Sequence, residues 1–238
     1  MSFTKTVEQG CFTWNIPVSA EMLTQWERYV ELLLEKNQVM NLTAITEPEE
    51  VAVRHILDCL FQLTCASFAG KKVIDIGSGG GFPGVPLQIA APDARFTLLD
   101  SRKKRVDFLA EVSEKLGLPA EPISARAEEF CAQKGRRESY DLAVSRAVAP
   151  LNILCELCLP FVKVGGMFLA MKSDNEAAAE EIDTAKSAIR KLGGRLAECR
   201  AYQLNGGEIR HQMVLIQKEK PTPPAFPRRY AKIEASPL

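Results

Sequence analysis

Lys72-Val73-Ile74-Asp75-Ile76-Gly77-Ser78-Gly79-Gly80-Gly81-Phe82-Pro83-Gly84 reads as a strand running into a glycine turn, and Phe96-Thr97-Leu98-Leu99-Asp100 follows as a second apolar run closed by an acid. The pattern is strand, turn, helix, strand, carboxylate. Glycines in such a turn adopt backbone conformations closed to residues with a Cβ and let a ligand lie against the main chain, while the acid can accept both hydroxyls of a ribose. An adenosine-containing cofactor is expected at this edge.

Two cofactors compete for it. Gly79-Gly80-Gly81-Phe82-Pro83-Gly84 satisfies G-x-G-x-x-G, with Asp100 about 20 residues on, as in a dinucleotide site. Three details favour S-adenosylmethionine over NAD: Asp75 near the end of the first strand, the register acid-x-Gly77-x-Gly79-x-Gly81, and prolines at Pro83 and Pro86. Asp75 stands where a methionyl ammonium could be met and a pyrophosphate repelled.

Outward from this stretch, strands are predicted at Val73–Gly77, Arg95–Asp100, Glu121–Ala125, Leu142–Ser145 and Met167–Met171, with helical segments between them. That alternation predicts a doubly wound, mostly parallel α/β sheet. Two further strands, Leu196–Gln203 and Gln212–Gln217, are joined by Asn205-Gly206-Gly207, a hairpin signal that makes the final strand antiparallel. Residues 1 to about 70 read as a helical cap: Met22, Leu23, Trp26, Tyr29, Val30 and Leu33 recur at helical spacing, and a second helix starts at Thr46 with Glu49 completing a capping box. Between these helices Asn37 to Thr43 reads as a loop. The expected division is a cap over 1–70, a sheet domain over 71–218 and a basic, proline-rich tail over 219–238, extended and not helical.

The composition of the 238 residues, 46% hydrophobic and 25% charged, describes a globular protein. Lys plus Arg and Asp plus Glu both total 30, so a nucleic-acid partner would be held by local patches and not by a net basic field. The chain has no apolar run of about 18 residues and no signal-peptide layout at its start, so no membrane association is expected and the location is read as cytoplasmic. Seven cysteines suit a reducing compartment. Cys155 and Cys158 form a CxxC without a second pair, and with only two histidines no metal site is expected.

Asn41-Leu42-Thr43, His55-Ile56-Leu57-Asp58, Gly81-Phe82-Pro83-Gly84, Leu98-Leu99-Asp100-Ser101, Lys104-Arg105, Ser145-Arg146-Ala147, Pro227-Arg228-Arg229 and Pro237-Leu238, in this order, resemble the ribosomal RNA small subunit methyltransferase G family, also called glucose-inhibited division protein B. The resemblance spans nearly the whole chain. It implies a Rossmann-like, class I S-adenosylmethionine-dependent methyltransferase that acts on N7 of a guanine in 16S rRNA, free or in a small ribosomal subunit particle. Cys59 and Tyr230-Ala231-Lys232-Ile233 depart from the family's pattern. The resemblance implies that Gly77, Gly79, Phe82 and Asp100 hold the cofactor, that the main chain at Ala127 and Glu128 meets its adenine, and that Asn41 and His55 stand beside the pocket.

Arg146 is the candidate active-site residue, because a strand's carboxyl end faces the crevice in open α/β sheets. An arginine cannot serve as a base, and guanine N7 has no proton to lose, so an orienting role toward cofactor or guanine is expected. His55 and Asp58, at i and i+3, could simply pair with each other. Arg102 to Arg105, Arg136-Arg137 and Arg228-Arg229 are candidate phosphate contacts. A methyltransferase of other RNA, protein or small-molecule substrates, an NAD-dependent oxidoreductase and a noncatalytic RNA binder are the alternatives left open.

Overall fold

In the computed structural model, which describes residues 2–204 and 207–238, a seven-stranded sheet runs in the order β3-β2-β1-β4-β5-β7-β6. Its strands are β1 (Lys72–Ile76), β2 (Arg95–Asp100), β3 (Glu121–Ser124), β4 (Tyr140–Arg146), β5 (Val162–Ser173), β6 (Gly194–Leu204) and β7 (Ile209–Lys218). The first five are parallel, and β7 runs antiparallel between β5 and β6. All seven expected strands are present. The β6–β7 pairing closes at Leu204 and Ile209 as the hairpin signal requires, although Asn205 and Gly206 lie outside the described residues.

Period-two alternation sends side chains to two separate cores, which is why helices cover both faces. Val73, Phe96, Leu98, Leu142, Val144 and Leu169 face one core; Ile74, Ile76, Leu99, Ala143, Phe168 and Ala170 face the other. The second is covered by α7 (Ala127–Cys131), α8 (Leu151–Cys158) and α9 (Glu176–Lys191), the last capped by Asn175, whose Oδ1 accepts from Ala178 N at 2.9 Å.

The first core is covered by α1 (Phe3–Thr13), α2 (Ala20–Asn37), α3 (Pro48–Val51), a π-helical turn (Ala52–Leu57), α4 (Asp58–Leu60), α5 (Gly84–Ala90) and α6 (Lys103–Leu116). Ser19 caps α2 by accepting from Met22 N at 3.2 Å. Its buried face, Trp26, Tyr29, Val30 and Leu33, does more than pack. Trp26 Nε1 donates to Pro86 O at 3.1 Å and Tyr29 OH to Gly80 O at 2.6 Å, bracketing the glycine turn.

Two local expectations are corrected. The Thr46–Glu49 capping box is not formed: Glu47 is the N-cap residue and Pro48 opens the helix, so a box would need its acid at Glu50, one position later. The tail is not wholly extended, since Tyr230–Ala235 forms α10. The tail's prolines all lie outside it, Glu128 Oε1 accepts the first helical amide at 3.2 Å, and Ile233 is fully buried.

Candidate functional site

The glycine turn leaves β1 with Gly77 at φ +76, Gly79 at +58 and Gly81 at +110, the left-handed region that excludes most other residues. A Cβ on Gly81 would stand 2.7 Å from the Tyr29 hydroxyl, and one on Gly77 would collide with Val148. The turn is therefore shaped by α2 on one side and by the loop after β4 on the other. Asp100, at the end of β2, accepts from Gly79 N at 3.0 Å and Arg102 N at 2.8 Å, and Arg105 lies 3.5 Å away.

A cavity of about 350 Å³ opens here, lined among others by Gly77, Asp100, Arg105, Ala127, Glu128 and Tyr230. Its size falls in the range of small-molecule sites. Four of the expected cofactor residues, Gly77, Asp100, Ala127 and Glu128, share its wall, and Gly79 is tied to it through its amide bond to Asp100.

Asp75 does not meet the cavity as expected. It is fully buried beneath the turn, where Oδ2 accepts from Gly84 N at 2.9 Å and Oδ1 has no hydrogen-bond partner among the described residues. Burial pushes its carboxyl up to about 7, partly offset by the Gly84 amide. The consequence for cofactor choice is direct: a dinucleotide seats its pyrophosphate at the helix start after the turn, and in this chain Asp75 holds the first amide of α5.

Phe82 and Arg146 stand together on the other side of the turn. The Arg146 guanidinium lies 4.6 Å from the Phe82 ring centre, and the His55 ring packs against Phe82 at 4.5 Å, tilted by 40°. Instead of projecting into the cavity, Arg146 turns toward the N-terminal helices, donating to Asp58 Oδ2 at 3.2 Å and Arg54 O at 3.1 Å, with His55 Nδ1 at 3.2 Å. Its side chain is 15% exposed.

His55 and Asp58 do not pair with each other, because the wider π turn removes the alignment an α-helix would give positions i and i+3. His55 Nε2 meets Thr43 Oγ1 at 2.7 Å. Asp58, 2% exposed, is instead a hub: Oδ1 accepts from Tyr202 OH at 2.7 Å and faces His211 Nδ1 at 2.8 Å. Burial opposes the Asp58 charge, but the His211 hydrogen bond and the Arg146 guanidinium outweigh it and hold the carboxyl below the usual range. Burial, with Arg146, pushes His55 down to about 4, so it is neutral at pH 7. Asn41 is exposed in a loop whose shape Asn37 sets by accepting from Leu42 N and Thr43 N at 2.8 and 3.0 Å.

The basic pairs have divided roles. Arg228 is committed to the fully buried Glu156, 2.5 Å away, whereas Arg229 is exposed. Arg137 donates to the carbonyls of Thr222, Pro223 and Phe226, and Arg136 pairs with Glu121 at 3.2 Å. Sequence reading singled out none of Tyr202, His211 and Tyr230 as functional. Among the described residues no cluster of three or more His, Cys, Asp or Glu could hold a metal, and no helix is long and apolar enough to cross a membrane.

Known proteins share the fold of this chain and, over its whole length, its sequence pattern. Solved structures of similar fold include the branched-chain polyamine synthase of Thermus thermophilus (TM-score 0.59, 14% identity, 82% of this chain and 64% of that one) and TYW2 of M. jannaschii in complex with AdoMet (0.53, 14%, 68% and 76%). At such identities they speak for the fold alone. Proteins named ribosomal RNA small subunit methyltransferase G are 40% identical in Clostridium perfringens (strain 13 / Type A), over 100% of both chains, and 44% in Thermoanaerobacter sp. (strain X514), over 98% and 99%. With residues 22–211 also matching the family described as GidB, rRNA small subunit methyltransferase G, the chain belongs to that family.

Proposed function

We propose that this protein transfers a methyl group from S-adenosylmethionine to N7 of a guanine in 16S rRNA, in the cytoplasm, with free rRNA or a small-subunit particle as substrate. The observation that carries the reading is the single cavity wall formed by Gly77, Asp100 and Ala127 in a chain of this family. Asp100 would hold the ribose, the Ala127 and Glu128 main chain the adenine, and Gly77 and Gly79 the space beside the methionyl part.

Bound there, S-adenosylmethionine supplies a methyl on a sulfonium, which a ring nitrogen with a free lone pair accepts without losing a proton. The protein then has to align the two partners and exclude competing charge. Arg146 suits an orienting role on the guanine side, with Phe82, His55 and the Asn41 loop beside it. Its charge is balanced by Asp58 and His55 is neutral, so this group adds little net positive charge beside a sulfonium. Residues 1–70 act as a cap on the 71–218 domain, and Arg229 is the tail's candidate phosphate contact.

Incubating the protein and methyl-labelled S-adenosylmethionine with unmodified small-subunit rRNA, and separately with particles, tests this. Label at N7 of one guanine is the expected result. Label that enters protein or small molecules and never rRNA would overturn it.

A further inference from the structure

The last twenty residues are held by contacts that a loose basic tail would not need. Lys218 Nζ is buried and donates to Leu159 O and Thr222 Oγ1, both at 2.6 Å. Arg137 ties down three tail carbonyls, Arg228 enters the buried Glu156 site, and Phe226 and Ile233 join the core beneath α8. These anchors fix where the intervening residues lie. Between them Tyr230 is brought to the cavity, where its amide donates to Glu128 and its ring lies 5.5 Å from the Arg126 guanidinium carbon.

We infer that the tail is a built part of the cofactor site, with Tyr230 forming the wall against which the adenine of an adenosyl ligand packs. The inference rests on the S-adenosylmethionine reading of the cavity. Arg126, Ala127 and Glu128 line the same side as Tyr230, so the segment read as adenine-facing is also the one that holds the tail. A flat purine gains from an aromatic face whatever its hydrogen-bonding edge does. Tyr230 is half-buried, keeping ring surface available to the cavity.

The test is calorimetric titration of the full-length protein and two variants with S-adenosylhomocysteine and with 5′-methylthioadenosine, which lacks the amino-acid end. Tyr230→Ala should weaken both ligands by the same factor, at least about fivefold, as loss of one base–aromatic contact does. Tyr230→Phe, which keeps the ring, should stay within about twofold. Unligated melting temperatures report folding. A Tyr230→Trp variant keeps the site occupied and gives a second readout: its emission should change on ligand addition more than that of the wild type, whose Trp14 and Trp26 are the background. Wild-type affinity in a folded Tyr230→Ala, or no added emission change at saturating ligand, overturns the inference alone. A wild type that binds neither ligand overturns the cofactor reading and the inference together.

Discussion

Arg146 and Asp58 are 88 positions apart in sequence and 3.2 Å apart in space, and the second carboxylate oxygen of Asp58 is held by Tyr202 and His211. A carboxylate locked on one side has one orientation to offer an arginine on the other. The β6–β7 pair therefore fixes the guanidinium at the end of β4 without touching it.

Removing Asp58 leaves a buried guanidinium without its counter-charge. Asp58→Ala should cost about 3–5 kcal/mol, and Tyr202→Phe, which deletes one hydrogen bond to a charged group, about 1.5–3 kcal/mol. Urea denaturation at neutral pH measures both. Losses under about 1 kcal/mol would mean that solvent, and not this network, satisfies the charges.

The two tail arginines should separate. Arg228→Ala strands the buried Glu156 and should destabilise the fold by about 3–5 kcal/mol, while Arg229→Ala should leave stability within about 0.5 kcal/mol. If Arg229 meets a phosphate of single-stranded RNA, its loss should lower the slope of log affinity against log salt by about 0.7. RNA titrations at several salt concentrations read this, and an unchanged slope assigns Arg229 to solvent.

Asp75 and His55 shift stability in opposite directions as pH changes. The folded pKa of Asp75 is raised from 3.8 to about 7, so its stabilising contribution is present at low pH and is lost as pH climbs through that window. That of His55 is lowered from 6.5 to about 4, so its contribution is present above 6.5 and lost as pH falls. Where the windows overlap each slope is about 1.4 kcal/mol per pH unit and the two offset. Relative to wild type, Asp75→Asn should gain stability from pH 4.5 to 6.5 and His55→Gln should lose it. Denaturation midpoints collected in half-unit pH steps would expose either slope, and curves parallel to wild type would refute both shifts.

Methyl transfer should show no dependence on a single protein base from about pH 6.5 to 8.5, because N7 carries no proton and His55 titrates well below that range. Single-turnover rates in buffers of constant ionic strength test it. A tenfold rise per pH unit that disappears in His55→Ala would replace orientation with base catalysis.

Asp100→Ala removes the acceptor proposed for the ribose and frees the Gly79 and Arg102 amides. S-adenosylhomocysteine affinity should fall about ten- to a hundredfold. Calorimetry reads it directly, and unchanged affinity would move the cofactor elsewhere.

The sheet and the Gly77-to-Asp100 edge were legible because their signals are local: alternation within a strand, glycines in a turn, an acid at the next strand end. Helix α1 carried a usable signal as well, Phe3, Val7 and Cys11 at four-residue spacing, all buried. The Asp58 hub was not legible, since three of its contacts come from distant strands and a π turn sets its direction. Tyr230 was hidden by the prolines before it, which argued for an extended tail while Glu128 and the core beneath α8 were stabilising a short helix.

Asp58 precedes Tyr202 by 144 positions and His211 by 153. During synthesis the parallel strands and the glycine turn emerge well before the residues that lock this carboxylate, so the charge network is among the last long-range contacts to close. A native molecule whose β6–β7 hairpin opens by local unfolding returns to that unfinished condition, with the five parallel strands in place and Arg146 released from its lock. The orienting role proposed for Arg146 would thereby tie methyl transfer to the stability of the sheet's outermost edge.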